Sequence, residues 1–91
     1  MSKGFDMKVF LAGVLTGSHA ARQRHLRQAR VIQIAIAERW QRKTPWGWKR
    51  KHLDWFLQHH LERRSESTRY HYLLTLRLIT KRLAKSWLFD L

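Results

Sequence analysis

Positively charged side chains are the feature of this 91-residue chain that most clearly indicates a chemical role. The sequence has 19 Lys and Arg against 6 Asp and Glu, which gives a net charge of +13 at pH 7. A compact chain with that charge repels itself, so the charge is better explained by a polyanionic partner than by solubility alone. The composition therefore predicts nucleic-acid binding, with phosphates as the main contact.

Basic residues recur at helical spacings in two stretches. Arg24, Arg27 and Arg30 stand three positions apart, and such a stripe can follow a phosphate backbone; a solvated helix face is the alternative interpretation of any one of them. Near the C-terminus, Arg69, Arg77, Lys81 and Lys85 are separated by multiples of four. This spacing predicts a cationic ridge along one helix.

A third basic group interleaves with tryptophans. Lys49, Arg50 and Lys51 fall in the first turn of a predicted helix, where the helix dipole disfavours cations, so a docked phosphate would relieve the cost. Trp46 and Trp48 precede them, and aromatic side chains beside cations can grip single-stranded nucleic acid by stacking. The alternatives are cations that point into water and tryptophans that pack the turn onto the core. The predicted nucleic-acid contacts are Arg24, Arg27, Arg30, Lys49, Arg50, Lys51, Arg69, Arg77, Lys81 and Trp48.

Other chemistry finds little support in the sequence. Asp54 follows Arg50 by four positions and Lys51 by three, which predicts a structural ion pair rather than an acid–base catalyst. His52 and His59 are seven positions apart, too far for two ligands of one metal on a helix, and there are no cysteines. We therefore predict a protein that is not an enzyme and has no metal or cofactor.

The apolar segments predict a cytoplasmic protein without a membrane span. No apolar run approaches the roughly 18 residues that a spanning helix needs. The run from Val9 to Leu15 is too short for a signal peptide, and Asp6 stands where such a peptide is positive. The lack of cysteine fits a reducing compartment.

Periodicity predicts an all-α fold, a single domain over 1–91 with four helices at about 6–15, 19–43, 48–63 and 68–88. Asp6, Ser18 and either Ser65 or Ser67 are suited to cap helix starts, and Pro45 separates the second helix from the third. The almost continuously apolar stretch 31–37 should be buried, with Ile32, Ile36 and Trp40 central. We expect the long second helix to pack on a hairpin of the third and fourth.

The segments HLDWFL (52–57) and STRY (67–70), followed by Leu73, Leu76, Arg77 and Leu83, resemble the N-terminal core-binding domain of phage-type integrases (tyrosine recombinases). The resemblance covers about residues 46–87. It implies a helical DNA-binding module, such as an accessory protein of a phage, plasmid or other mobile element. The family's catalytic Arg, His and Tyr set has no counterpart here, and Tyr70 and Tyr72 do not match it, so the resemblance implies no strand cleavage.

We expect non-catalytic nucleic-acid binding, with DNA preferred to RNA. One alternative is a small protein-interaction module that docks on a host DNA- or RNA-handling enzyme and inhibits it, since Trp and Arg are typical of interface hot spots. A second alternative is a subunit of a larger nucleoprotein complex. The sequence does not indicate an oligomeric state.

Overall fold

The computed structural model describes residues 5–89 and is all-α over that range, as predicted. Its four helices are α1 (Met7–Leu11), α2 (His19–Trp40), α3 (Arg50–Trp55) and α4 (Glu66–Arg82). A 3₁₀ turn, Pro45–Gly47, precedes α3, and a π-helical turn, Phe56–His60, continues it. The long α2 packs against α4 and against the π-helical turn, while α1 lies against α2 and α4. Residues 1–4, 90 and 91 of the predicted 1–91 domain lie outside the described residues.

The helix starts lie close to where the capping residues predict them. The Asp6 Oδ1 atom accepts hydrogen bonds from the Lys8 and Val9 amides at 2.9 and 3.4 Å. Ser18 Oγ accepts from the Ala21 amide at 3.2 Å, and Ser65 Oγ accepts from the Thr68 amide at the same distance. Each of these bonds satisfies an amide that has no partner within the helix. Ser65 rather than Ser67 therefore caps α4, which begins at Glu66 and not at 68.

The predicted helix ends were wrong, because two helices stop at residues other than glycine. The second helix ends at Trp40 rather than Lys43, since Gln41 adopts a left-handed conformation with φ of 58°. The fourth ends at Arg82 rather than Leu88, since Ala84 adopts the same φ. The first ends at Leu11 and passes into a turn over 12–14, which contains Gly13. The third is regular α-helix only over Arg50–Trp55 before it widens into the π-helical turn.

The core lies where α1, α2, α4 and the α3–π segment meet. Ile32 and Ile36 are buried as expected, but Trp40 is only partly buried against the core. Trp40 instead makes an edge contact with Trp55, with ring centroids 5.0 Å apart and the planes at 89°. The apolar half of α2 is also less enclosed than expected, because Ile34 is 59% exposed. Further buried core residues are Met7, Phe10, Leu11, Leu26, Ala29, Leu53, Phe56, Leu57, Leu61, Leu73, Leu76, Ile79 and Phe89.

Candidate nucleic-acid interface

The α2 part of the predicted interface is an exposed face of mixed character. Arg27 and Arg30 are exposed, and so are Val31 and Ile34. Their separations of three and four residues place them on one side of the helix. Arg24 departs from this face: its side chain is half-buried, and its Nε atom is enclosed without a hydrogen-bond partner. The predicted three-arginine stripe therefore consists of two exposed arginines beside two exposed aliphatic residues.

The predicted ridge on α4 is shorter than its spacing suggested. Arg77 and Lys81 are exposed and four residues apart, so they share a face. Arg69 is half-buried, with its Nε atom enclosed and unpartnered. It precedes Arg77 by eight residues and Lys81 by twelve, so it lies about 80° and about 120° around the helix from them. The exposed cations of α4 are therefore Arg77 and Lys81, and Lys85 lies beyond the end of the helix.

The basic segment before α3 is exposed, but its local bonds involve a histidine. Lys49, Arg50 and Lys51 all face solvent. The Lys49 amide donates to His52 Nδ1 at 2.8 Å, so His52 closes the start of α3 where no acidic cap exists. Arg50 Nε lies 3.3 Å from Asp54 Oδ2, which confirms the predicted ion pair. It is the one ion pair within residues 5–89, so the other cations of the predicted interface have no carboxylate partner in that range.

Trp48 is part of the core, and its placement as a stacking residue was wrong. It is 4% exposed, and its indole N–H donates to the Arg42 carbonyl at 3.2 Å. Burial of the ring leaves no face on which a base could stack. The alternative interpretation, that this tryptophan packs the turn onto the core, is correct for Trp48.

Trp46 is exposed in the way that was expected of Trp48. It is 58% exposed, and its ring centroid lies 5.0 Å from that of Phe10 with the planes at 84°. The guanidinium carbon of Arg82 stands 4.9 Å from the Trp46 ring centroid and 5.2 Å from that of Phe10. Neither Phe10 nor Arg82 was predicted to belong to the site. Both reach Trp46 from helices far away in sequence, and no local pattern indicates such a contact.

An open groove of about 980 Å³ separates the N-terminal segment from the exposed face of α2. Arg30 and Ile34 line one side of it, and Lys43 and Thr44 line the end. The loop that carries Lys43 is held to α2, since the side-chain amide of Gln33 donates to the Lys43 carbonyl at 3.0 Å. Arg30 and Lys43 thus border a common groove whose wall includes apolar side chains.

A polar cluster joins α2 to α4. Thr75 is fully buried; its hydroxyl lies 2.8 Å from His25 Nδ1 and donates to Gln28 Oε1 at 2.8 Å. A hydroxyl has one proton, so with that proton on Gln28 the Nδ1–H of His25 must be the donor in the other bond. Burial lowers the pKa of His25, and the charges of Arg24 and His71 lower it further. His71 Nδ1 is itself enclosed and unpartnered.

His52 has a lowered pKa for the same kinds of physical cause as His25. Its pKa is lowered first by burial and then by the positive charges of Lys51, Arg42 and Lys49. The neutral ring also suits its hydrogen bond, because Nδ1 can accept from the Lys49 amide only without a proton.

Within residues 5–89, no three His, Asp or Glu side chains are grouped so that they could hold a metal ion. None of the helices described here is both long and apolar enough to cross a bilayer.

Comparison with protein-family models, curated proteins and solved structures gives no match for this chain. The resemblance of residues 46–87 to the integrase domain stays a prediction from the residues alone.

Proposed function

We propose that this protein binds nucleic acid without catalysing a reaction on it, through phosphate contacts from three exposed basic regions. The regions are the α2 face with Arg27 and Arg30, the segment 49–51, and the α4 face with Arg77 and Lys81. The observation that carries the proposal is the near-absence of internal charge pairing: a chain of net charge +13 has a single ion pair within residues 5–89. A polyanion would supply the missing counter-charge.

DNA is the preferred ligand in this proposal, and a mobile element the expected source of the protein. Both follow from the resemblance of residues 46–87 to the integrase core-binding domain. The half-buried Arg24 and Arg69 contribute less than the exposed cations, because a guanidinium must leave its pocket to reach a phosphate. Trp48 is no longer part of the proposed contact set, since it lies in the core.

The test is the salt dependence of binding to a labelled DNA duplex, measured by fluorescence anisotropy. Each phosphate contact releases counterions, so log K falls with log salt with a slope of about 0.9 per contact. The double change Arg27→Ala, Arg30→Ala should weaken binding and reduce the slope by about 2. An RNA duplex of the same sequence, measured in the same assay, gives the preference for DNA over RNA.

The matched control is Arg63→Ala, Arg64→Ala, which removes the same charge from an exposed turn outside the three regions. It should change the slope much less. Binding that is undetectable at about 50 mM salt, or insensitive to salt, would contradict the proposal. Equal effects of the two double variants would mean that binding responds to net charge alone and not to the three proposed regions.

A protein-interaction module is the second candidate, and the groove beside α2 favours it. Exposed Ile34 lies in a groove bordered by Arg30 and Lys43, which suits an acidic partner with apolar anchors. In this candidate, one stoichiometric protein stays bound after nuclease treatment and is lost in the variant Ile34→Ser, which leaves the charge of the α2 face unchanged, while duplex binding persists. A subunit of a nucleoprotein complex would require both the basic faces and this groove.

A further inference from the structure

An aromatic and cationic cluster forms where α1, the 3₁₀ turn and the end of α4 meet. Its members are Phe5, Phe10, Trp46 and Arg82, and we call it the Trp46 platform. The Phe5 and Phe10 centroids are 5.5 Å apart, and Phe10 meets Trp46 nearly edge-on. The platform borders an open groove of about 440 Å³ that is also lined by Asp6 and Val9.

Arg82 is held in place at the platform. Its Nε donates to the Phe10 carbonyl at 2.8 Å, and its guanidinium carbon lies about 5 Å from two ring centroids. No carboxylate pairs with it among the described residues, so its full positive charge is directed at the aromatic rings and the groove. A fixed guanidinium beside an open indole recognises a flat, electron-rich ring by stacking and cation–π attraction.

Two apolar side chains at the platform are exposed to solvent in the free protein. Trp46 remains 58% exposed, and its groove neighbour Val9 is 70% exposed. Exposed apolar side chains that adjoin each other in a groove mark a surface suited to a partner. The partner must tolerate the surrounding positive charge, and the strongly cationic chain favours a polyanion over another basic or neutral surface.

The groove fits the base of a nucleotide rather than its phosphate. Asp6 lines the groove, and its carboxylate repels a phosphate placed there. The phosphates can instead lie along the exposed cations that flank Trp46 in sequence, because Lys43 and Lys49 both face solvent. Bases within a duplex are stacked on each other and present no free face, so the base must be unpaired.

We propose that the Trp46 platform binds one unpaired nucleobase, so that the protein prefers a duplex that adjoins a single-stranded segment to a blunt duplex. This inference rests on the proposed function, because the neighbouring cations must hold the phosphates. It adds a substrate class: ends with overhangs, and junctions between paired and unpaired strands.

The experiment uses three labelled DNA probes and the full chain. One is a blunt duplex, the second has a short overhang of normal nucleotides, and the third has the same overhang with abasic nucleotides. The last two have equal phosphates and differ only in the bases. The normal overhang should bind about tenfold more tightly than the abasic one, equivalent to about 1.4 kcal/mol and within the range for base–aromatic stacking.

The variant Trp46→Ala should abolish this difference and leave blunt-duplex affinity unchanged. Tyr70→Ala is the matched control, because Tyr70 is a 47% exposed aromatic residue on α4 away from the platform; this variant should keep the difference. Circular dichroism of each variant verifies that the helices are retained. The comparison of the two overhangs in the unaltered protein tests the inference even if Trp46→Ala does not fold.

The outcomes separate the two proposals. Loss of all duplex binding at low salt overturns the proposed function. Normal duplex binding with equal affinity for the two overhangs overturns the Trp46 platform alone, and is the result expected if the platform instead docks an apolar protein side chain. Equal weakening of all three probes by Trp46→Ala also overturns it, because the indole would then not distinguish a base.

Discussion

At the scale of single residues, the hydroxyl of Thr75 on α4 forms a polar link to α2. It is fully buried and lies within 2.8 Å of both His25 Nδ1 and Gln28 Oε1, so one hydroxyl satisfies two polar groups of α2. A buried polar group without a partner costs about 1–3 kcal/mol, more than a typical hydrogen bond contributes. This arrangement therefore fixes the alignment of α4 on α2 as well as stabilising it.

The change Thr75→Val keeps the shape of the side chain and removes its hydrogen bonds to His25 and Gln28, together with a longer one of 3.4 Å to the His71 carbonyl. We expect the free energy of unfolding to fall by about 1–3 kcal/mol, because His25 and Gln28 lose a partner at a partly enclosed site. Urea denaturation followed by circular dichroism measures the difference.

Thr80→Val is the matched control for this change. Thr80 is also buried on α4, but its hydroxyl donates only to the Leu76 carbonyl, one turn back in the same helix. Its removal leaves no other side chain unpaired, so the loss should be under about 1 kcal/mol. Equal losses in the two variants would mean that the cluster between the helices contributes nothing of its own.

Residue-level predictions from sequence succeed where the partners are local. The Arg50–Asp54 pair follows from a spacing of four on one helix, and the structure confirms it. The different exposures of Trp46 and Trp48 do not follow, because they depend on Phe10 from α1 and on the Arg42 carbonyl. The two tryptophans are nearly equivalent in sequence, and only the tertiary packing distinguishes them.

At the scale of helices, starts are predictable and ends are not. Asp6, Ser18 and Ser65 have side chains that accept hydrogen bonds from first-turn amides, so their residue types indicate a start. Gln41 and Ala84 have no such signature. Both adopt φ of 58°, a conformation for which glycine is the usual choice, so the sequence gives no stop signal there.

Ala84 offers a direct test of this strain. The Lys85 amide donates to the Thr80 carbonyl at 3.1 Å and the Ala84 amide to the Lys81 carbonyl at 3.0 Å, so the left-handed residue closes the end of α4. The change Ala84→Gly relieves a cost of about 1–2 kcal/mol in the folded state but adds freedom to the unfolded chain. We expect a net gain of up to about 1 kcal/mol in the free energy of unfolding, measured by urea denaturation.

Ala20→Gly provides the comparison, because it introduces the same residue near the start of α2 with ordinary helical geometry. That variant should lose about 0.5–1 kcal/mol, since glycine only adds disorder to the unfolded state there. If both glycines destabilise equally, the left-handed residue is not strained.

At the scale of the whole molecule, the net positive charge and the burial of histidine rings both make protonation of a histidine unfavourable in the folded protein. The chain has a net charge of +13 with its six histidines neutral, so protonation of any histidine adds to the existing repulsion. The sequence alone predicts this excess of charge. It does not predict which histidines are enclosed, because half-buried His25 and buried His52 are covered through contacts between helices and not through a pattern within one.

The pH dependence of stability follows from these two histidines. Burial, followed by the charges of Arg24 and His71, lowers the pKa of His25, and burial followed by Lys51, Arg42 and Lys49 lowers that of His52. In the unfolded chain both return to about 6.5. Between the lowered and the ordinary pKa, the unfolded chain binds more protons than the folded one, so stability rises with pH. The stability that the two unprotonated histidines contribute is fully present above about pH 6.5, and it is lost as the pH falls through their pKa values in the folded protein.

We therefore expect the free energy of unfolding to be lower at pH 5.5 than at pH 7.5 in urea denaturation at fixed ionic strength. The variant His52→Gln should reduce this difference, because glutamine does not titrate, whereas His59→Gln, at an exposed position of the π-helical turn, should leave it nearly unchanged. Repeating the series at higher salt separates the two causes. Salt screens the repulsion among surface charges but affects the burial of His25 and His52 much less, so the part of the pH effect that survives high salt belongs to the enclosed rings. Equal stability at the two pH values would show that both histidines accept protons in the folded protein as readily as in the unfolded chain.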